Sequence, residues 1–385
     1  MKILIAPDSY KGSLCALEVA QTMRKAFSSV IKEAEVDLIP MADGGEGTLD
    51  TLVYATKGKV ISVTATGPLG EQISTEYGVL GDKETVIVEA AKIVGLPMIP
   101  QEKRDPLIAT TYGIGEVILD ALNRGYRKFI FGLGGSATNE GGIGLLQALG
   151  VKFLNEEGRL IKPMANNLLH LKSVDFGTID PRIRECSMVI ASDVDNALCG
   201  SQGASCIYGP QKGATPQQVE WLDGALSYYA GLIEEHLKVS HQHAPGAGAA
   251  GGLGFGLLTL GATITSGAAV VADKTDLASK LLKAQWVITG EGRSDAQTLY
   301  GKVPYYIASR AKEAGVKAIL VSGGLGSDIE PLYDFFVSCH SITRSPISLQ
   351  ECMQNADEYL FQTCVDIARL MFASSEYKRG EGLCG

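Results

Sequence analysis

Four short apolar runs in this chain each lead, through a small residue or two, into a carboxylate. They are Ile3–Ala6 into Asp8, Val36–Ile39 into Asp43, Met188–Ser192 into Asp193 and Asp195, and Trp286–Thr289 into Glu291. In α/β proteins such runs are buried parallel strands, and ligands bind just beyond their carboxyl ends. Several carboxylates gathered there would hold a divalent cation, which points to phosphate chemistry. Any one of them alone could equally cap the helix after a βα turn; four together exceed what capping needs.

Glycines and cations sit close to these acids. The loop Gly132–Gly142 brings together backbone N–H groups and the side chains of Ser136, Thr138 and Asn139, as a binder of anions would. Gly132-Leu-Gly134-Gly-Ser-Ala137 also matches G-x-G-x-x-A, so a dinucleotide site enters as an alternative, although no acid stands where a ribose ligand should. There is no G-x-x-x-x-G-K-[ST], which excludes an ordinary P-loop enzyme, and no H-R-D or D-F-G. Phosphoryl transfer needs positioning and charge stabilisation, which other folds supply. Asp8-Ser9-Tyr-Lys11 places an acid, hydroxyls and a lysine before a helix. Asp43-Gly44-Gly-Glu46 offers two acids on a flexible backbone, while Glu291-Gly-Arg293-Ser-Asp295 with Lys302 supplies both signs of charge. Lys212, in Gln211-Lys-Gly213, is a further phosphate contact. Asp193 and Asp195 share a direction if their strand continues that far. His241 and His243 form H-x-H without an evident third ligand, which argues against a metal centre there.

The elements that must position these groups follow from composition and periodicity. A chain of 385 residues, 45% apolar and 20% charged, has the length of two domains or three, with ample material for their cores. Its net charge of -9, with no basic run, argues against a nucleic-acid partner. Eight cysteines without C-x-x-C spacing read as reduced thiols of a cytoplasmic protein. Residues 244–272 lack charge but are crowded with glycine, so they read as a buried helix behind a glycine-rich loop rather than a membrane span.

Strands are predicted at 2–6 and 36–40, with helices at 13–28 and 46–57. Three strands without intervening helices follow at 60–65, 73–79 and 85–88. A helix at 110–124, strands at 128–131 and 188–192, and a long helix at 217–238 come next. From Trp286 the βαβ style returns, with strands at 286–289, 317–321 and 335–338 and a closing helix over 353–372. Five strands from the two ends of the chain suit a flavodoxin-like parallel sheet. The expected architecture is therefore α/β: a discontinuous flavodoxin-like domain (1–60 and 285–372), an inserted α/β domain (61–284), an active-site cleft between them, and a loose tail (373–385).

Taken together, these segments resemble the bacterial glycerate kinase family, type 1. The matching segments are Ala6-Pro-Asp-Ser-Tyr-Lys-Gly-Ser-Leu14, Pro40-Met-Ala-Asp-Gly-Gly-Glu-Gly-Thr48, Thr66-Gly-Pro-Leu-Gly70 and Gly132-Leu-Gly-Gly-Ser-Ala-Thr-Asn139. Tyr208-Gly-Pro-Gln-Lys-Gly-Ala214, Pro245-Gly-Ala-Gly-Ala-Ala-Gly-Gly252, Ile288-Thr-Gly-Glu-Gly-Arg293 and Gly301-Lys-Val-Pro304 complete the set. The resemblance implies ATP-dependent phosphorylation of D-glycerate, with 2-phosphoglycerate favoured over 3-phosphoglycerate and no membrane partner. Two positions depart from the family pattern: Ala197 stands where proline is usual, and Glu140 where aspartate is common.

On this reading Asp193 is the first candidate for the base at the substrate hydroxyl, and Asp8 the second. Lys11 or Arg293 would meet the carboxylate of glycerate, with Ser9, Asp43, Gly44 and Glu46 completing its pocket. Gly134, Gly135, Ser136, Thr138, Asn139, Lys212 and Lys302 would hold the phosphates of ATP. Asp295, Glu291 and Asp195 are the expected ligands of Mg²⁺. The rival is an NAD(P)-dependent hydroxy-acid dehydrogenase built on Gly132–Ala137.

Overall fold

The computed structural model describes residues 1–381. Eleven strands build its two large sheets. In chain order they are β1 (Lys2–Ile5), β2 (Glu35–Leu38), β3 (Lys59–Thr66), β4 (Gln72–Val79), β5 (Thr85–Glu89) and β6 (Lys128–Gly132). Then come β7 (Ser187–Ala191), β8 (Thr263–Thr265), β9 (Trp286–Thr289), β10 (Lys317–Ser322) and β11 (Ser338–Ser341). The helices that matter below are α1 (Ala16–Val30), α2 (Thr48–Thr56), α3 (Tyr112–Asn123), α4 (Pro216–Leu237), α5 (Ala249–Thr259), α6 (Val303–Glu313) and α7 (Ala356–Glu381). The chain divides into two compact units, 1–43 with 268–385, and 44–267.

The first unit carries a five-stranded sheet in the order β11-β10-β9-β1-β2, every pair parallel. Counted along this unit alone the order is 2-1-3-4-5, the flavodoxin-like arrangement expected from the five runs. Alternation puts Ile3, Ile5, Ile288, Ile319 and Val321 on the face covered by α1 and α7. In α1 the buried residues Ala16, Val19, Ala20, Met23 and Phe27 recur at helical spacing, and Glu18 reaches back to the Cys15 N–H at 2.8 Å to close its first turn. A fully buried side chain such as Phe27 contributes about 2–3 kcal/mol.

The second unit has a six-stranded mixed sheet, β8-β7-β6-β5-β4-β3. β3, β4 and β5 pair antiparallel, whereas β5 through β8 run parallel. Its core gathers Phe129, Phe131, Ile118, Leu226, Tyr229 and Phe255. The uncharged stretch contains the buried helix predicted there, α5, but also β8 and the start of a further helix (Gly267–Lys274), and its glycines have a purpose. Ala250, Gly251 and Gly252 are left-handed, so regular helix begins only after them. This lets the backbone lie directly on the next glycine loop: the Gly141 N–H donates to the Gly251 carbonyl at 3.0 Å, and any Cβ on Gly251 would strike the Thr138 carbonyl. Among the described residues no helix is long and apolar enough to cross a membrane.

Four expectations need correction. The unit boundary falls at residue 43 instead of 60, because α2 packs on β4 and β5 and its first turn is capped by Glu89. The other boundary lies at 267 instead of 284. The last strand is β11, not 335–338, since the aromatic pair that looks like a strand sits in the preceding turn. There Phe336 is buried and Phe335 meets Tyr305 edge-on at 4.9 Å, while the edge strand itself is the polar Ser338–Ser341. Finally, α7 continues through Glu381 into the expected tail, whose residues 382–385 lie outside the described residues.

Candidate functional site

Three of the four apolar runs belong to one sheet. Asp8, Asp43 and Glu291 follow β1, β2 and β9, which are adjacent. The fourth run is β7 of the other sheet, so Asp193 and Asp195 belong to the second unit. Nor is every run a buried strand: β2 lies at the sheet edge with exposed Glu35 and Asp37.

In the first unit Asp8 is only 9% exposed and accepts the Ser9 N–H at 2.6 Å. Burial, and then the facing charge of Asp43, raise its carboxyl from the ordinary 3.8 to about 7, against the pull of the Ser9 N–H and Lys11. Lys11, exposed, reaches Asp43 Oδ2 at 2.9 Å. Such an exposed pair adds little stability but holds the ammonium beside Asp8. Glu291 is buried, with Oε1 accepting from Ser294 Oγ at 3.0 Å and Thr298 Oγ1 at 2.7 Å, and Oε2 lying 3.3 Å from Lys302 Nζ. Asp295 Oδ1 accepts the Gln297 N–H at 3.0 Å, capping the short turn Ala296–Leu299, and its Oδ2 lies 3.8 Å from Arg293. Two of the expected metal ligands therefore have other engagements.

In the second unit, the strand before Asp193 ends at Ala191, so Asp193 and Asp195 do not alternate along it. Both are exposed, and Asp193 Oδ1 accepts the Gly267 N–H at 3.2 Å. The turn after Asp195 does not need the family's proline at 197. Asn196 holds it, accepting from Tyr208 Oη at 2.7 Å and donating to the Gln202 carbonyl at 2.7 Å.

In the glycine loop after β6, Gly135 is exposed while Gly134 lies against Gly45, its N–H donating to the Gly44 carbonyl at 3.2 Å, and the polar side chains turn inward. Asn139 Nδ2 donates to Ser205 Oγ at 2.8 Å and Thr138 Oγ1 to the Ala250 carbonyl at 3.3 Å, so both brace the loop. Lys212 lies 3% exposed, its Nζ donating to the Thr138 carbonyl at 2.6 Å and Ser136 Oγ at 3.3 Å. Burial lowers its ammonium from 10.5 to about 7, only partly opposed by Glu140. Glu140 is itself buried, which lifts its carboxyl to about 7; one oxygen accepts the Gly144 N–H at 2.8 Å. A buried ammonium with neutral hydrogen-bond partners suits a site completed by an incoming anion.

Gly44 and Glu46 also fall in the second unit; Glu46 is exposed, and Gly44 has a packing reason to be glycine. Its φ is +87°, and a Cβ would collide with the Ala191 carbonyl at the end of β7. Gly44→Ala is expected to destabilise the second unit by about 2 kcal/mol or more, read as a lower urea midpoint.

One buried acid and one set of buried hydroxyls escaped the sequence reading. Glu89 accepts the Gly47 and Leu49 N–H groups at 3.1 and 2.9 Å, and burial raises its carboxyl to about 6. The signal was present, since Glu89 ends the run Thr85–Val88 in the same apolar-then-acid pattern. The hydroxyl set of Ser294, Thr298 and Ser322 around Glu291 left no such trace, because Ser322 comes from a different strand.

Fold and site together define an α/β enzyme with carboxylates just beyond strand ends and a buried lysine under a glycine loop. The profile of the glycerate kinase family matches residues 3–372. A glycerate kinase of Halalkalibacterium halodurans is 44% identical over 95% of this chain and 97% of its own. A glycerate 2-kinase of Escherichia coli is 42% identical over 96% and 97%. A crystal structure of a protein assigned as glycerate kinase 2 from Salmonella typhimurium LT2 superposes with a TM-score of 0.87 at 41% identity, covering 98% of this chain and 99% of that one. The chain belongs to the glycerate kinase family.

Proposed function

We propose that the protein transfers the γ-phosphoryl group of ATP to D-glycerate, giving 2-phosphoglycerate in preference to the 3-isomer. The observation that carries this reading is Lys212, an ammonium buried under the Gly134–Asn139 loop and bonded to neutral oxygens. A phosphate there would supply the missing negative charge. The preference for position 2 rests on the name of the Escherichia coli relative.

Phosphoryl transfer requires that the acceptor hydroxyl be oriented and the spreading charge neutralised. Asp193 and Asp8 are the two candidates for the hydroxyl, and their surroundings favour Asp8. A carboxyl near 7 exchanges protons readily at neutral pH. Lys11, held by Asp43, and Arg293, largely exposed, are the cations offered to the substrate carboxylate. Lys212 and the glycine loop hold phosphate oxygens.

Mg²⁺ takes oxygen ligands and needs only one or two carboxylates beside phosphates and water. Among the described residues no group of three or more His, Cys, Asp or Glu forms a metal cage. Asp193 and Asp195 are both exposed, whereas Glu291 is buried with both carboxylate oxygens engaged, so the exposed pair fits that modest requirement better than Glu291. The ion would offset phosphate charge there. Asp193→Asn keeps an acceptor for the Gly267 N–H, so its melting point should hardly move while turnover falls about tenfold or more and the Mg²⁺ half-saturation rises. Near-normal turnover with unchanged Mg²⁺ dependence removes Asp193 from the site.

The reading as a whole is tested by coupled ADP release with Mg·ATP and D-glycerate, the product's phosphate position being read by ³¹P NMR. Release no greater than an L-glycerate blank would sink D-glycerate as the substrate.

A further inference from the structure

We infer that Glu291 is a positioning residue which aims Lys302 at the triphosphate of the nucleotide, and that it is not a metal ligand. This rests on the kinase reading above. Every hydrogen-bonding direction of the carboxylate that the structure defines is used within its own unit. Oε1 takes the hydroxyls of Ser294 and Thr298, Ser294 Oγ is in turn 2.7 Å from Ser322 Oγ on β10, and Oε2 faces Lys302 Nζ. The backbone is latched as well, the Gly323 N–H donating to the Glu291 carbonyl at 3.0 Å. The carboxylate is 8% exposed, so neither its rotamer nor its charge is free to turn to another partner.

Lys302 has a different character. It is 39% exposed in its side chain and sits at the residue before α6, so one side of its ammonium rests on Glu291 and the rest faces outward. A compact ammonium on a four-carbon stem is a good phosphate ligand only if its stem is held. A buried carboxylate with two hydroxyl supports is such a hold. A divalent cation at Oε2 would have to share that oxygen with a positive charge 3.3 Å away, which Coulomb repulsion opposes.

The test compares Glu291→Gln, Lys302→Met and the double variant. Glutamine can keep an acceptor for the two hydroxyls but presents an uncharged group, an amide nitrogen in that orientation, to Lys302. Each single variant is expected to raise KM for ATP about tenfold while KM for D-glycerate and the Mg²⁺ half-saturation stay put. The double variant should be no worse than either, since both remove one interaction. ATP binding measured calorimetrically in EDTA should weaken by the same factor in all three. A raised Mg²⁺ half-saturation in Glu291→Gln alone, additive losses, or unchanged ATP affinity would overturn the inference. Should Glu291→Gln melt early, Thr298→Val, which deletes one supporting hydroxyl, must show the same ATP-specific pattern in smaller measure. If the wild type releases no ADP with D-glycerate, the substrate assignment fails, while the EDTA comparison still decides the role of Glu291.

Discussion

Asp8→Asn is expected to remove most of the turnover and at the same time make the protein harder to melt. Loss of a general base lowers kcat by about 10²–10⁴-fold, and the acidic limb of the kcat/KM profile near pH 7 should vanish with it. The stability effect has the opposite sign from an ordinary buried-residue change. Asp8 titrates at about 7 in the folded chain and near 3.8 when solvated. Below the lower value both states are protonated and the group costs nothing. As pH rises from 3.8 through about 7 the unfolded state ionises first, so folding stability declines. At about 1.4 kcal/mol per pH unit, that interval amounts to a few kcal/mol, about 4 at most. Asparagine carries no such penalty, so at pH 8 the variant should melt on the order of 10 °C higher, with the gap closing towards pH 4. A melting gap that stayed constant with pH would show that Asp8 is not a strained carboxylate.

Lys212→Met is expected to lower kcat/KM for ATP about 10²–10³-fold and to abolish a proton uptake that accompanies nucleotide binding. In the free protein burial holds Lys212 near 7, so at pH 8.5 it is mostly neutral. A phosphate beside it restores its ordinary pKa, and close to one proton must be taken from solvent. Calorimetric titrations at pH 8.5 in two buffers of different ionisation heat would count that proton. Wild type should show close to one and the methionine variant none. Equal uptake in both would move the phosphate away from Lys212. Relative to wild type, the free variant should also gain stability as pH falls from 10.5 towards 7, because over that range the unfolded wild-type lysine takes up a proton that the buried one does not.

Unit 1 was legible in the sequence because its sheet is built from short, self-contained apolar runs whose period and turn residues leave little choice. β11 was the exception: an edge strand has one neighbour and can be polar, whereas the aromatic residues before it pack a turn. The placement of α2 was equally hidden, since its affiliation depends on Glu89, 40 residues from Leu49. For the site, residue types and loops could be read, but not which oxygen is already occupied. Asp8 and Glu291 look alike in sequence as acids after strands. Only burial facing a second carboxylate, Asp43, separates the first from the second, whose lone pairs are met by Ser294, Thr298 and Lys302. Lys212 could be picked out in the sequence as a candidate; its burial and depressed pKa could not, because desolvation is a property of the packed loop.

The pairing of β1 with both β2 and β9 has a consequence for how the chain is made. Ile3 stands opposite Trp286, so β1, an interior strand of the first sheet, waits for its second neighbour until Trp286 has been synthesised. At 5–20 residues per second that delay is on the order of tens of seconds. Meanwhile residues 44–267 form one uninterrupted segment able to complete its own core on the ribosome. The first 43 residues, with Ile3, Ile5 and the apolar stripe of α1, wait with apolar surface uncovered, and any stalling before Trp286 should yield a half-folded product rather than an unfolded one.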